Sequence, residues 1–168
     1  MNFRAMRESS WDRSGSNVDS IANIQPGKTC VLADLQGPGV ISHIWITAAS
    51  TDMYYLRRVL LRMYWDDEEN PSVEVPLGDF FGLGHSRVYT YSCAAFSCST
   101  NNSGYLGGDV NRSAAMNCWL PMPFTKSARI ELINESPAGT CIPMFYYYID
   151  WQKHPSLPED TYEKGLQI

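Results

Sequence analysis

The sequence has no apolar run approaching the ~20 residues that a membrane helix needs, and little positive charge. Thirteen Lys and Arg against eighteen Asp and Glu leave a net charge of −5, so there is no basic face to neutralise nucleic-acid phosphates. The amino terminus, MNFRAMRESSWDRSGSN, contains no apolar h-region, so a secretory signal is not expected and the expected location is cytoplasmic. Internal repeats, low-complexity runs and amphipathic helices of more than three turns are also missing. Metal-ligand patterns are scarce. The five cysteines are Cys30, Cys93, Cys98, Cys118 and Cys141, an odd number with no CxxC spacing, which reads as reduced thiols and not as a zinc site. No cofactor is expected.

What is present is apolar and aromatic residues in short stretches. Hydrophobic residues make up 44% and aromatics 12% of the 168 positions, enough apolar surface to offset the entropy of ordering one domain. Lys28 to Leu35 alternates and then meets the turn Gly37-Pro38-Gly39. Val40 to Ala48 follows, read with Val40, Ser42, Ile44 and Ile46 on one face and Ile41, His43, Trp45 and Thr47 on the other. Arg57 to Trp65, Ser72 to Leu77, Met116 to Leu120, Ser127 to Asn134 and Met144 to Trp151 read as further strands. A long loop is expected around Ser97 to Asn111, in a stretch rich in Ser, Asn, Gly and Tyr. Short strands with turns every eight to twelve residues indicate an all-β fold: a single jelly-roll β-sandwich of about eight antiparallel strands. The expected divisions are an N-terminal segment 1–20, the jelly roll 21–151 and a polar C-terminal extension 152–168.

Seven blocks, in order, carry a family resemblance. They are Ser10-Trp11-Asp12-Arg13-Ser14-Gly15-Ser16-Asn17, Ile24-Gln25-Pro26-Gly27, Gly37 to Trp45, Leu61 to Asp66, Val73 to Gly82, Asn117 to Phe124 and Phe145 to Asp150. This series resembles glycoside hydrolase family 172, which includes difructose-anhydride synthase/hydrolase, α-D-fructofuranosidase and D-arabinofuranosidase. The resemblance spans Ser9 to Asp160 and implies the first half of a double jelly roll. It also implies trimers or larger rings with sites near subunit boundaries. The family's catalytic glutamate pair lies in the second jelly roll, in a Gly-Thr-Glu-Asp-Tyr-like context. Here Gly139-Thr140 is followed by Cys141. The expectation is therefore a first jelly roll alone, inactive without a second one.

Retaining glycosidases need two carboxyl groups ~5–5.5 Å apart, so the carboxylates are weighed first. The run Asp66 to Glu69 reads as a solvated turn, with a calcium site as the alternative. Asp12 and Asp19 flank Arg13 and Asn17 beside Trp11, whose indole could pack on a sugar ring while the carboxylate accepts hydrogen bonds from its hydroxyls. Equally, Trp11 could cover a core edge while Asp12 pairs with Arg13 or caps a turn. Asp79, bracketed by Gly78 and Gly82, either lines a cleft or caps a turn. His43, a lone strand histidine, reads first as a satisfied core or interface residue and second as an acid or base. Asn117 could offer an amide to a sugar beside Trp119, which packing in the core would explain as well. Glu74 and Glu131 read as solvated strand positions. The candidate substrate-binding set is Trp11, Asp12, Arg13, Asn17, Asp19, His43, Asp79 and Asn117, with no catalytic or metal-binding residue assigned.

The resemblance implies an α-D-fructofuranoside or D-arabinofuranoside as the carbohydrate partner. The chain itself, as a trimer or hexamer, or a second jelly-roll chain, is the expected protein partner. A non-enzymatic, capsid-like assembly protein and a sugar-binding module are the alternatives; nucleic acid and membrane are not expected partners.

Overall fold

The computed structural model describes residues 2–100 and 113–157. Twelve strands run in order through them: β1 (Arg4–Ser9), β2 (Ile21–Ile24), β3 (Thr29–Gln36), β4 (Gly39–Ala49), β5 (Val59–Trp65), β6 (Val73–Pro76), β7 (Tyr91–Ser92), β8 (Phe96–Thr100), β9 (Ala114–Cys118), β10 (Met122–Phe124), β11 (Ser127–Asn134) and β12 (Ile142–Lys153). Two one-turn helices, α1 (Tyr55–Arg58) and α2 (Leu77–Phe80), interrupt them. The strands form two antiparallel sheets. The larger, sheet A, follows β1-β12-β4-β9-β8-β7, with β10 on β4 and β2 on β12; sheet B is β3-β11-β5-β6. The expected all-β sandwich is what the chain forms, with twelve strands among the described residues where about eight were expected. Outside the seven strands named from the periodicity lie β1, β2, β7, β8 and β10, of which β1 and β2 run along the same edge of β12.

The core lies between the inner faces. Ile41, Ile44, Ile46, Met116, Phe145 and Ile149 come from sheet A, and Leu35, Val59, Leu61, Met63, Ala128, Ile130 and Leu132 from sheet B; each is at most 1% exposed. Each large aliphatic or aromatic side chain so buried contributes about 1.5–3 kcal/mol. One end is closed by α1, α2 and the turn after them, where Leu56, Leu77, Phe81 and Leu83 are fully buried. Gly78 permits this closure: a Cβ there would lie 2.8 Å from Leu56 Cβ and 2.9 Å from the Leu83 carbonyl.

Strict alternation in β4 fails at one place, with consequences for the site. Asp150 faces His43 across the ladder, but the next residue, Trp151, faces Ile41, so Ser42 is a bulge. Its Oγ–H donates to the Asp150 carbonyl at 3.2 Å. Ile41 therefore turns inward with Ile44 and Ile46, while His43, Trp45 and Thr47 point outward. The expected grouping of Ile41 with His43 is corrected accordingly. Likewise Ser97 to Thr100 belong to β8 and not to a loop, whereas residues 101–111 of that expected loop lie outside the described residues. Gln152 and Lys153, expected in the C-terminal extension, complete β12; residues 158–168 also lie outside.

Candidate functional site

The acidic turn after β5 is structural. Asp66 accepts the Thr125, Lys126 and Ser127 N–H groups at 2.8, 2.6 and 3.3 Å and the Thr125 hydroxyl at 2.8 Å. Burial alone would raise its pKa, and these bonds to the ionised form outweigh that and lower it. Glu68 accepts the Trp65 and Ser72 N–H groups and the Ser72 hydroxyl. The turn thus fastens β10 and β11 to β5, while Asp67 and Glu69 stay exposed as a solvated turn requires. No group of three or more His, Cys, Asp or Glu suited to a metal ion occurs among the described residues.

Glu131 also differs from expectation. At 9% exposed, it is held by Arg129 Nε at 2.8 Å on the outer face of sheet B. Beside it lies an acidic groove of about 390 Å³ lined by Asp34, Tyr64, Asp67, Glu69 and Arg129, among others.

The candidate residues fall in three places. Trp11, Asp12, Arg13, Asn17 and Asp19 occupy the loop between β1 and β2, along the edge of β12 that those two strands share. Asp12 organises it: the Ser14 N–H and hydroxyl donate to Oδ1 at 2.8 and 2.7 Å, and the Val18 N–H donates to Oδ2 at 3.1 Å. Asp19 accepts the Asp12 N–H at 2.8 Å. Asn17 and Gly15 hold positive φ of 61° and 79°, a conformation that Asn and Gly tolerate best. The Ser14 hydroxyl, followed by backbone N–H groups, lowers the Asp12 pKa. The carboxylate is therefore ionised and committed to its own loop, and unsuited to donate a proton as a general acid must. The loop leaves Trp11 56% exposed, with the Arg13 guanidinium 6.0 Å from its ring.

Asp79 is placed in α2, ion-paired with Arg57. Its helix packs beside α1, and the Phe81 carbonyl just after it accepts the hydroxyl of Tyr91 on β7. β7 is the edge of sheet A opposite β1, so Asp79 does not join the Trp11 loop.

His43 and Asn117 do come together, on the outer face of sheet A. Two adjacent rows cross its strands. One reads Ser9, Tyr148, Trp45, Asn117, Ser97 in direct register. The other reads Arg7, Asp150, His43 and continues to Trp119, whose indole stacks on His43 with centroids 5.4 Å apart and planes 7° from parallel. Arg7 donates to both Asp150 oxygens, at 2.6 and 3.0 Å. His43 Nδ1 lies 3.2 Å from Asp150 Oδ2, and Nε2 lies 2.9 Å from Asn117 Oδ1. Asn117 Nδ2 donates to Ser97 Oγ at 3.2 Å. Tyr148 is sandwiched between Trp45, at 4.7 Å, and the Arg7 guanidinium, at 4.6 Å. The asparagine between His43 and Ser97 means no base reaches that hydroxyl, so the row is not a nucleophilic triad. Burial would raise the Asp150 pKa, but the hydrogen bonds and charges of Arg7 and His43 lower it.

Sequence reasoning placed Trp45 on the His43 face but missed Asp150 as a partner of His43, and Arg7 and Tyr148 as members of the same array. The signal was the alternation of β12: Met144, Tyr146, Tyr148 and Asp150 share the face opposite Phe145, Tyr147 and Ile149. Which strand β12 pairs with is a long-range fact that alternation does not carry.

The molecule is thus a two-sheet β-sandwich domain with a polar and aromatic array on one outer face and an ordered, tryptophan-bearing edge loop. The GH172 domain-like family profile matches residues 16–144, so the chain belongs to that family. The match contains Asn17, Asp19, His43, Asp79 and Asn117 and begins after Trp11, Asp12 and Arg13. No curated protein matches the chain.

Proposed function

We propose that this domain serves in carbohydrate recognition as the first jelly roll of a furanoside-cleaving architecture. α-D-fructofuranosides or D-arabinofuranosides are its substrate class, and the chain alone performs no hydrolysis. The carrying observation is the fate of the candidate acids. Asp12 is spent on its own loop, Asp79 on Arg57 and Asp150 on Arg7 and His43. Asp12 and Asp79 stand at opposite edges of sheet A. A retaining mechanism needs one carboxyl that keeps its proton beside one that attacks, and Asp12 and Asp150 are both shifted toward the ionised form. The Trp11 loop supplies a sugar-facing wall, with an exposed indole beside the Arg13 donors, and a second jelly roll supplies the reactive pair. The cytoplasm is its proposed setting.

The test is hydrolysis of nitrophenyl α-D-fructofuranoside and α-D-arabinofuranoside by the purified chain. The expected result is turnover no faster than buffer; turnover abolished by Asp12→Ala or Asp79→Ala would overturn the proposal. The Trp11 wall is tested by fluorescence titration with fructose or arabinose, where Trp11→Ala should remove part of the response.

A second reading is favoured by one observation. Trp11 and Val18, in the loop that leads into β2, are 56% and 62% exposed, and Met144, paired with Ala22 of β2, is 52% exposed; exposed apolar side chains of this kind suit contact with another copy. In that reading the chain assembles as a trimer or hexamer without catalysis. Light scattering checks it, and a monomer at all concentrations would count against it.

A further inference from the structure

Resting on the carbohydrate reading, we propose that the outer face of sheet A holds a second sugar-contact point, separate from the Trp11 loop. It is built by Trp119 with Asn117, Ser97 and His43, and it takes an uncharged monosaccharide ring.

Four observations carry this. The first is the indole. His43 stacks parallel on one face of Trp119, yet the residue stays 44% exposed, so a large part of the indole still meets solvent. An aromatic plane open on one side and fixed from behind is what the apolar face of a sugar ring packs against.

The second is the polar rim. Asn117 uses one Nδ2 proton on Ser97 and one Oδ1 lone pair on His43, leaving one of each. The Ser97 hydroxyl accepts from Asn117 and keeps its own proton to donate. A mixed set of spare donors and acceptors suits hydroxyl groups, which are both at once.

The third is charge. Arg7 and Asp150 neutralise each other, His43 has both ring nitrogens engaged, by Asp150 and by Asn117, and the other members of the two rows, Ser9, Tyr148, Trp45, Asn117, Ser97 and Trp119, carry no formal charge. A phosphorylated or carboxylated ligand finds no free counter-charge there.

The fourth is rigidity. Asn117, Ser97 and His43 stand on three adjacent strands and are linked by hydrogen bonds, so little ordering entropy remains to be lost on binding.

The position is also distinct. The Trp11 loop hangs from β1 and β2 at the edge of β12, and β9 lies beyond β12 and β4. Three strand spacings of ~4.8 Å separate β1 from β9, about 14 Å, so one monosaccharide cannot touch both points.

The experiment is a titration of the full chain with D-fructose and methyl α-D-arabinofuranoside, with D-fructose 6-phosphate as the charged comparator. Binding is followed by the Asn117 side-chain amide resonances and by tryptophan emission. The two neutral sugars should move the Asn117 amide and the phosphorylated one should not. Trp119→Ala should weaken that binding roughly tenfold, the loss of a ring-stacking contact. Trp119→Tyr should retain most of it, and Trp11→Ala should leave the amide shifts unchanged. Should Trp119→Ala fail to fold by circular dichroism, the wild-type amide shifts and Trp119→Tyr decide. An unmoved Asn117 amide, with a fluorescence response that only Trp11→Ala removes, overturns this contact point and leaves the carbohydrate reading standing. No response to any sugar by either probe removes both.

Discussion

The two outer faces of the sandwich use the same cross-strand geometry to opposite ends. On sheet B, Arg129 bridges Asp34 and Glu131, and Arg62 pairs with Glu74. Asp67 and Glu69 add further negative charge at the rim. The side chains of Arg129 and Asp34 are 44% and 58% exposed, those of Arg62 and Glu74 31% and 48%. Such pairs form in high dielectric and contribute little. On sheet A, one connected chain runs Arg7, Asp150, His43, Asn117, Ser97 over five strands. Its central members, His43 and Asp150, are 23% and 25% exposed, and aromatic rings stand on both sides. A network screened by rings and linked end to end is more rigid and less sensitive to salt than isolated surface pairs. Net charge alone would point to the acidic face as the functional one; connectivity and ring packing point to the other.

The largest expected effect tests whether the rim of sheet B is all solvated charge. Asp66→Ala leaves three turn N–H groups and a hydroxyl without their acceptor. It also puts alanine at φ 52°, where Asp and Asn are better tolerated. A loss of about 2–4 kcal/mol is expected by denaturant unfolding, from the charged hydrogen bonds and the strain together. Asp66→Asn, which keeps one acceptor and tolerates that φ, should lose less than the alanine variant. Equal losses would assign the effect to the side chain's charge alone.

Next in size is Asp150→Ala, which breaks the sheet A network at its centre. The expected loss is about 1–2 kcal/mol, since the group is three-quarters buried but borders solvent. Its pH dependence has a definite sign. The folded pKa lies below the unfolded one, so the stabilisation is complete above the ordinary Asp range near ~4 and disappears as pH falls through the folded value. Wild type should therefore lose part of its stability margin over Asp150→Ala on acidification below about pH 4. A margin constant down to the acid transition would show that the network carries no net electrostatic stabilisation.

How far the sequence leads is uneven for physical reasons. Alternation with period two located β3, β5 and β11, because burial on one side of a strand writes itself into residue order. β1 stayed hidden. Arg4 to Ser9 carries four polar residues of six and lies at a sheet edge, where burial pattern is weak. The Ser42 bulge was invisible too, since an extra residue shifts side chains without changing composition. The motif around Trp11 to Asp19 stood out through its Gly, Ser, Asn and Asp content, and it does form an ordered loop. Its chemistry was only half legible: the sequence showed an acid, and only the folded loop shows that Ser14 and Val18 consume it. His43 and Asn117 could be nominated singly, whereas the network joining them depends on pairings more than seventy residues apart along the chain.

A smaller effect sharpens the same contrast. His43→Ala and Asn117→Ala, separately and together, form a double-mutant cycle across the 2.9 Å contact. The expected interaction is about 0.5–1 kcal/mol, typical of a single part-buried hydrogen bond. An interaction indistinguishable from zero would reduce the network to side chains that share a face without supporting one another.

The smallest expected effect is on sheet B and supplies the comparison's control. Arg62→Ala, Glu74→Ala and the double variant should each change stability by less than about 0.5 kcal/mol, with an interaction that fades as salt is raised to molar levels. The reason is exposure. Both side chains keep roughly a third to a half of their surface in water, so most of the Coulomb gain is offset by screening and by the entropy of holding two long side chains in place. The same cycle on Arg7 and Asp150 should retain more of its interaction at high salt: Arg7 is 54% exposed, but the carboxylate is only 25% exposed, is held by two Arg7 hydrogen bonds and has His43 against its other side. If the Arg62–Glu74 interaction proves as large and as resistant to salt as that of Arg7–Asp150, the two faces are energetically alike. Ring packing on sheet A would then be no sign of a binding surface.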